Sequence, residues 1–139
     1  MTETQTPHLD QIYSLLAEKG YEVSKSAPGI LAIREVGSGI PVQAVLEGDI
    51  LFLSLTCISV PEAALTADRM RKMLDAGNGI STSHFQIYST GQGTVAITLN
   101  NFCKLQEMGP DDEDDILSCL HFLLIDVMEA RRLLEGLVA

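Results

Sequence analysis

Val42-Gln43-Ala44-Val45-Leu46-Glu47-Gly48-Asp49-Ile50-Leu51-Phe52-Leu53-Ser54-Leu55-Thr56-Cys57-Ile58 is the stretch that decides how this chain folds. Val42, Ala44 and Leu46 alternate against Gln43 and Val45. Glu47-Gly48-Asp49 is turn chemistry. The run then resumes with Leu51, Leu53, Leu55 and Cys57 on one side and Phe52, Ser54, Thr56 and Ile58 on the other. Two period-two runs about a glycine-bearing turn form a β-hairpin. The second run is apolar on one side and partly apolar on the other, which predicts a central strand covered at least in part on both faces.

Working outward from the hairpin, the same reading yields its neighbours. Leu9, Ile12, Tyr13, Leu15 and Leu16 recur at helical spacing until Gly20 stops them. Tyr21–Ser26 is a short polar strand, and Ala27-Pro28-Gly29 fits a tight turn with proline at its second position and glycine at its third. A strand over Ile30–Val36 and a loop at Gly37-Ser38-Gly39 follow. Beyond the hairpin, Ser59-Val60-Pro61-Glu62 has the spacing of a capping box. Ala63, Ala67, Met70 and Leu74 then form a helical stripe closed by Gly77-Asn78-Gly79, with a start anywhere between Pro61 and Thr66. His84–Tyr88 and Thr94–Leu99 are two further alternating runs about a glycine-rich turn, and residues 100–109 form a connection without a recognisable pattern. Three or four strands, a helix, two strands and a helix, grouped in hairpins, give an α+β fold: an antiparallel sheet with helices packed on it. Residues 1–8 read as a flexible N-terminal tail and 9–139 as one domain.

The closing segment is a helix led by five acids, Asp111-Asp112-Glu113-Asp114-Asp115. Pro110 suits a first turn, and carboxylates there oppose the positive end of the helix dipole, as Arg131 and Arg132 complement the other end. Five acids exceed what capping requires, so some stand in solvent. At about 100° per residue, Ile116, Leu120, Leu123, Leu124, Val127, Ala130 and Leu134 share one broad stripe suited to packing on a sheet. Phe122, Ile125 and Met128 lie on the other side, among Ser118, His121, Glu129 and Arg132. A contiguous exposed apolar strip usually marks an interaction site. The strip, with Leu133 added, is therefore the candidate partner or dimer interface; the plainer alternative is that a neighbouring element of the same chain covers it.

The bulk composition bounds the function. At 139 residues with 46% hydrophobic and 20% charged residues, the chain can bury a true core. Its apolar runs fall well short of the roughly 20 residues that span a bilayer. Residues 1–8 lack the basic start and apolar middle of a signal peptide, which makes the cytoplasm the expected location. A formal charge of −10 opposes nucleic acid and anionic membranes as partners and suits basic or amphipathic polypeptides.

Signs of chemistry are sparse. Cys57, Cys103 and Cys119 are odd in number, lack CxxC spacing and sit among apolar residues, as buried reduced thiols do. Cys119 and His121 diverge by about 200° on a helix and cannot pair there. A Cys57 or Cys103 nucleophile near His84 is a combination that any such domain permits. No zinc or HExxH spacing occurs, and the acidic run lacks the alternation and glycine of an EF-hand. The glycines at 37, 39, 91 and 93 lie between strands, whereas phosphate-binding glycines lie between a strand and a helix. The sequence therefore assigns no catalytic residue, no metal and no cofactor.

The opening helix ending Glu18-Lys19-Gly20-Tyr21, the strands Val42–Leu46 and Ile50–Ile58, the Pro61–Gly77 helix, the Phe85–Leu99 hairpin and the acid-led last helix together resemble a bacterial group. It holds the YbjN-like proteins and the class I type III secretion chaperones; a small bacterial domain of unknown function looks similar in part. The resemblance covers nearly the whole chain as a pattern of elements. It implies the order α-β-β-β-α-β-β-α, a cytoplasmic homodimer and, on the chaperone side, apolar grooves that hold an extended polypeptide. The expectation is a non-enzymatic, chaperone-like homodimer that holds a partner polypeptide. The alternative is a small-ligand sensory or regulatory domain with a pocket between the sheet and the second helix.

Overall fold

A computed structural model describes residues 5–135. The elements are α1 (Gln5–Glu18), β1 (Glu22–Ala27), β2 (Ile30–Arg34), β3 (Pro41–Glu47), β4 (Ile50–Pro61), a 3-10 turn (Glu62–Ala64), α2 (Ala67–Leu74), β5 (His84–Ser89), β6 (Thr94–Lys104) and α3 (Pro110–Leu133). They build an α+β fold on a six-stranded antiparallel sheet of order β1-β2-β3-β4-β6-β5. Four strands precede α2, the upper end of the expected range and one more than the family pattern implies. Helix α1 begins at Gln5, inside the stretch expected as tail.

The hairpin turns follow their residues. Pro28-Gly29 joins Ala27 to Ile30, with Gly29 at φ +77°, the left-handed value that this turn demands of its third position. Gly48-Asp49 joins Glu47 to Ile50, and Gly48 at φ +62° occupies the first of two loop positions. That is the glycine-first hairpin turn whose twist matches its strands. The N–H groups of Leu105 and Glu62 donate to the carbonyls of Asp49 and Gly93, marking the two ends of the antiparallel β4–β6 pair.

The fold divides into two compact units. The first comprises described residues 5–54 and 101–121. Helix α1 packs on β1 and β3 there. Ile12 and Leu16 are fully buried, as are Leu31, Ala44 and Leu51 from the strands and Ile116 from α3. Burying one such leucine or isoleucine contributes about 2 kcal/mol. The opposite side of these strands is open. Ile30 pairs with Val45 and Val45 with Phe52, so one apolar row crosses three strands on that side. The expectation that β4 is covered at least in part on both sides holds in its weaker form here: Leu51 and Leu53 are buried on one side, while on the other Phe52 is 40% exposed and Ser54 half-buried.

The second unit comprises described residues 55–100 and 122–135. Val60, Met73, Val95, Ile97 and Leu134 form its core cluster, with Cys57, Ile58, Ala64, Leu65 and Phe85 packed against it. Here two expectations fail. Ser59 and Val60 belong to β4, which runs on to Pro61, so no capping box starts a helix there. Helix α2 starts at Ala67, capped by Thr66, whose hydroxyl accepts the N–H of Arg69 at 3.2 Å. Its buried residue is Met73, while Leu74 is 76% exposed. A stripe counted from Ala63 has the wrong phase because Ala63 lies outside the helix.

Candidate functional site

Helix α3 supplies the candidate site. Asp111, Asp112 and Glu113 occupy its first turn and Arg131 and Arg132 its last, the order that the dipole favours. The five acids are not equivalent. Asp112 is buried, and its carboxylate accepts the backbone N–H groups of Gln106 at 2.5 Å and Met108 at 2.8 Å. Between and beside those amides, Glu107 and Met108 hold φ of +59° and +56°, a left-handed pair that non-glycine residues seldom adopt. The carboxylate supplies the acceptor that this loop needs, so the stretch that the sequence left without a pattern divides in two: residues 100–104 continue β6, and residues 106–108 form a tight clamp. Asp111, Glu113, Asp114 and Asp115 stand in solvent, as expected.

In the second unit another α3 carboxylate is buried. Asp126, 1% exposed, accepts the Ser81 N–H at 2.8 Å, the Ser81 hydroxyl at 2.8 and 3.0 Å and the Ser83 N–H at 3.1 Å. Burial alone would raise its pKa. The hydrogen bonds from Ser81 and Ser83 outweigh burial and hold it below the usual carboxylate value. Gly79, at φ +86°, approaches the same helix so closely that a Cβ would stand 2.7 Å from Glu129 Cγ. These contacts tie the loop after α2 to α3.

Along α3 the apolar residues separate as their spacing predicts. Leu120, Leu123 and Val127 are buried. Phe122, Ile125 and Met128 are 39%, 49% and 57% exposed. Leu133 is half-buried, and its carbonyl accepts Arg69 Nη1 at 2.9 Å. It borders a shallow charged hollow with Asp68, Arg71, Lys72 and Asp75, so it belongs to the α2 side rather than to the strip. The structure brings Phe122, Ile125 and Met128 onto one outer face and sets Leu133 apart from them.

Sequence reasoning missed a second exposed apolar feature, in the first unit. Phe52 of β4 and Phe102 of β6 pack ring against ring, centroids 6.2 Å apart at 36°, with Phe102 55% exposed. The signal was present in the alternation Val95, Ile97, Leu99, which continues through buried Asn101 and Cys103 and leaves Phe102 on the open side. Two asparagines at 100 and 101 interrupt the apolar pattern and hide it.

The thiols differ from one another. Burial pushes Cys57 up to about 11, against the opposing influence of Arg131. A side-chain hydrogen bond between Cys103 and Cys119 raises the former, with burial adding to the rise, and lowers the latter. Among the described residues, no three histidine, cysteine or acidic side chains converge as a metal site would require, and no helix is long and apolar enough to cross a membrane. In the unit that holds α2, Met73 packs against Val60, Val95 and Ile97.

No family model matches the chain, and neither does any curated protein. Solved structures do. YbjN from E. coli superposes with a TM-score of 0.65 at 12% identity, covering 89% of this chain and 91% of that one. SpcU, in the heterodimeric ExoU–SpcU complex from the type III secretion system of Pseudomonas aeruginosa, superposes at 0.62 with 16% identity, covering 89% and 98%. The chain has the YbjN-like, secretion-chaperone-like α+β fold that its pattern of elements resembles.

Proposed function

We propose that this protein is a non-enzymatic, chaperone-like binding module of the cytoplasm that forms a homodimer and holds a partner polypeptide. The observation that carries the reading is the outer face of α3, where Phe122, Ile125 and Met128 stand exposed on a chain otherwise rich in surface acid. A protein contact over this face would recover about 25 cal/mol per Å² of the apolar surface it removes from water. The fold shared with SpcU, which is found in a complex with ExoU, supports a polypeptide as the partner. The negative charge favours a basic or amphipathic segment.

The test is solution mass by light scattering at micromolar concentration. The wild-type chain is expected to be dimeric, and Phe122→Glu or Ile125→Glu to yield folded monomers. Leu120→Glu should unfold the chain instead, because it places an unpaired charge at a site that is 1% exposed. A strictly monomeric wild type refutes the dimer. Equal unfolding by all three substitutions shows the strip to be ordinary core.

A further inference from the structure

Cys103 and Cys119 meet although they come from different elements, the end of β6 and the first half of α3. Cys119 Sγ donates to the carbonyl of Phe102 at 3.4 Å, and that carbonyl belongs to the peptide bond leading into Cys103. Each thiol also shifts the other's acidity, raising Cys103 and lowering Cys119, as close neighbours do. Their exposures differ in a useful way: Cys119 is partly exposed and Cys103 buried. Susceptible thiols are accessible, have thiolate character and lie beside a second cysteine able to resolve the oxidised form. Cys119 has the first place in that arrangement and Cys103 the second. Cys57 lies in the other unit, and burial makes it a poor nucleophile.

We propose that Cys103 and Cys119 form a reversible disulfide, a modification site at which peroxide oxidation staples β6 to α3. The Cys119 sulfur attacks the O–O bond of hydrogen peroxide, giving a sulfenic acid and one molecule of water. The Cys103 sulfur then displaces the hydroxyl as a second water, closing the S–S bond. Two thiols lose two electrons and two protons, and one peroxide becomes two waters. A dithiol reductant reverses the change by exchange through a mixed disulfide. Closure also removes the S–H that Cys119 donates to Phe102, so the exposed Phe52–Phe102 pair lies directly beside the modification.

The experiment treats the full reduced chain with hydrogen peroxide, folded and in denaturing urea, and follows intact mass and the cross-linked peptide. The folded chain is expected to lose two hydrogens, yield a Cys103–Cys119 peptide and leave Cys57 open to later alkylation. The cross-link should form roughly tenfold faster in the fold than in urea, because positioned groups react at high effective concentration. Dithiothreitol should restore the original mass. In Cys103→Ser, dimedone should trap a sulfenic acid on Cys119, and in Cys119→Ser no comparable adduct should form on Cys103. No cross-link in the folded wild type, one that forms no faster than in urea, or sulfinic acid accumulating on Cys119 without a cross-link would each overturn the proposal. The wild-type rates decide the matter even where a serine variant fails to fold.

Discussion

Replacing Asp126 by asparagine isolates one carboxylate whose contacts are fully defined. It accepts from Ser81 twice and from Ser83 once at the backbone, in a site that is 1% exposed. A hydrogen bond to a charged group contributes about 1.5–3 kcal/mol, less where a donor can turn to water. Ser81 is itself exposed, so its two donors count near the low end. Asparagine keeps one acceptor oxygen and turns an NH2 group toward the remaining donor, giving an expected loss of about 2–3 kcal/mol at neutral pH. The pH dependence has a definite sign. The folded pKa lies below the ordinary value, so the contribution is complete above the unfolded carboxylate pKa of about 3.9. It disappears as pH falls through the lower, folded value. Urea denaturation of both proteins from neutral pH downward should show a constant gap that narrows only below about pH 4. Native-state hydrogen exchange should show the Ser81 and Ser83 amides opening faster in the variant. A gap under about 0.5 kcal/mol at neutral pH, or one that widens with acid, would refute the assignment of Asp126 as a charged anchor.

Two other perturbations probe the same logic elsewhere. Asp112→Ala removes the acceptor of Gln106 and Met108 beneath two left-handed residues and should cost about 2 kcal/mol in thermal or urea denaturation. Asp114→Ala, in the same acidic run but exposed, should stay within about 0.5 kcal/mol of wild type. Met73→Ala should cost about 3 kcal/mol by opening a cavity against Val60, Val95 and Ile97. Leu74→Ala, one position along, should be nearly silent in the same measurement because the side chain already faces water.

How far the sequence reveals this depends on the range of the forces involved. Strands β1 to β4, the tight turns at Pro28-Gly29 and Gly48-Asp49 and the buried stripe of α3 were legible, because period-two alternation, glycine at φ-demanding positions and period-3.6 spacing are local signals. The start of α2 was legible only as a range whose late end, Thr66, is the cap. Ser59-x-x-Glu62 has cap spacing, yet Val60 is drawn into the core cluster and β4 keeps its pairing through Pro61. Tertiary burial overrides the local cap there. The roles of Asp112 and Asp126 were equally hidden, since nothing in an acidic run or a lone helical aspartate reveals which backbone amides will come to meet it. Phe122, Ile125 and Met128 could be singled out for the opposite reason: their exposure follows from helix phase alone. Leu133 shows the limit of phase, for its surroundings are set by Arg69 and α2.

The charge order of α3 bears on how its outer strip could pair with a second copy. In a two-fold contact centred on Ile125, residues equally far on either side of the centre oppose each other. With the helices antiparallel, Arg132 of one copy lies opposite Ser118 of the other, within one turn of the acid-led start that includes Asp115. With the helices parallel, the two acidic starts face each other, which adds repulsion to a chain already carrying −10. Arg132 forms only a loose pair with Glu129 at 3.6 Å and is 76% exposed, so it can turn toward a new partner at little cost. Under the proposed function, the acids thus have two roles beyond capping. They oppose the wrong orientation, and they keep an apolar strip soluble until the complementary surface arrives.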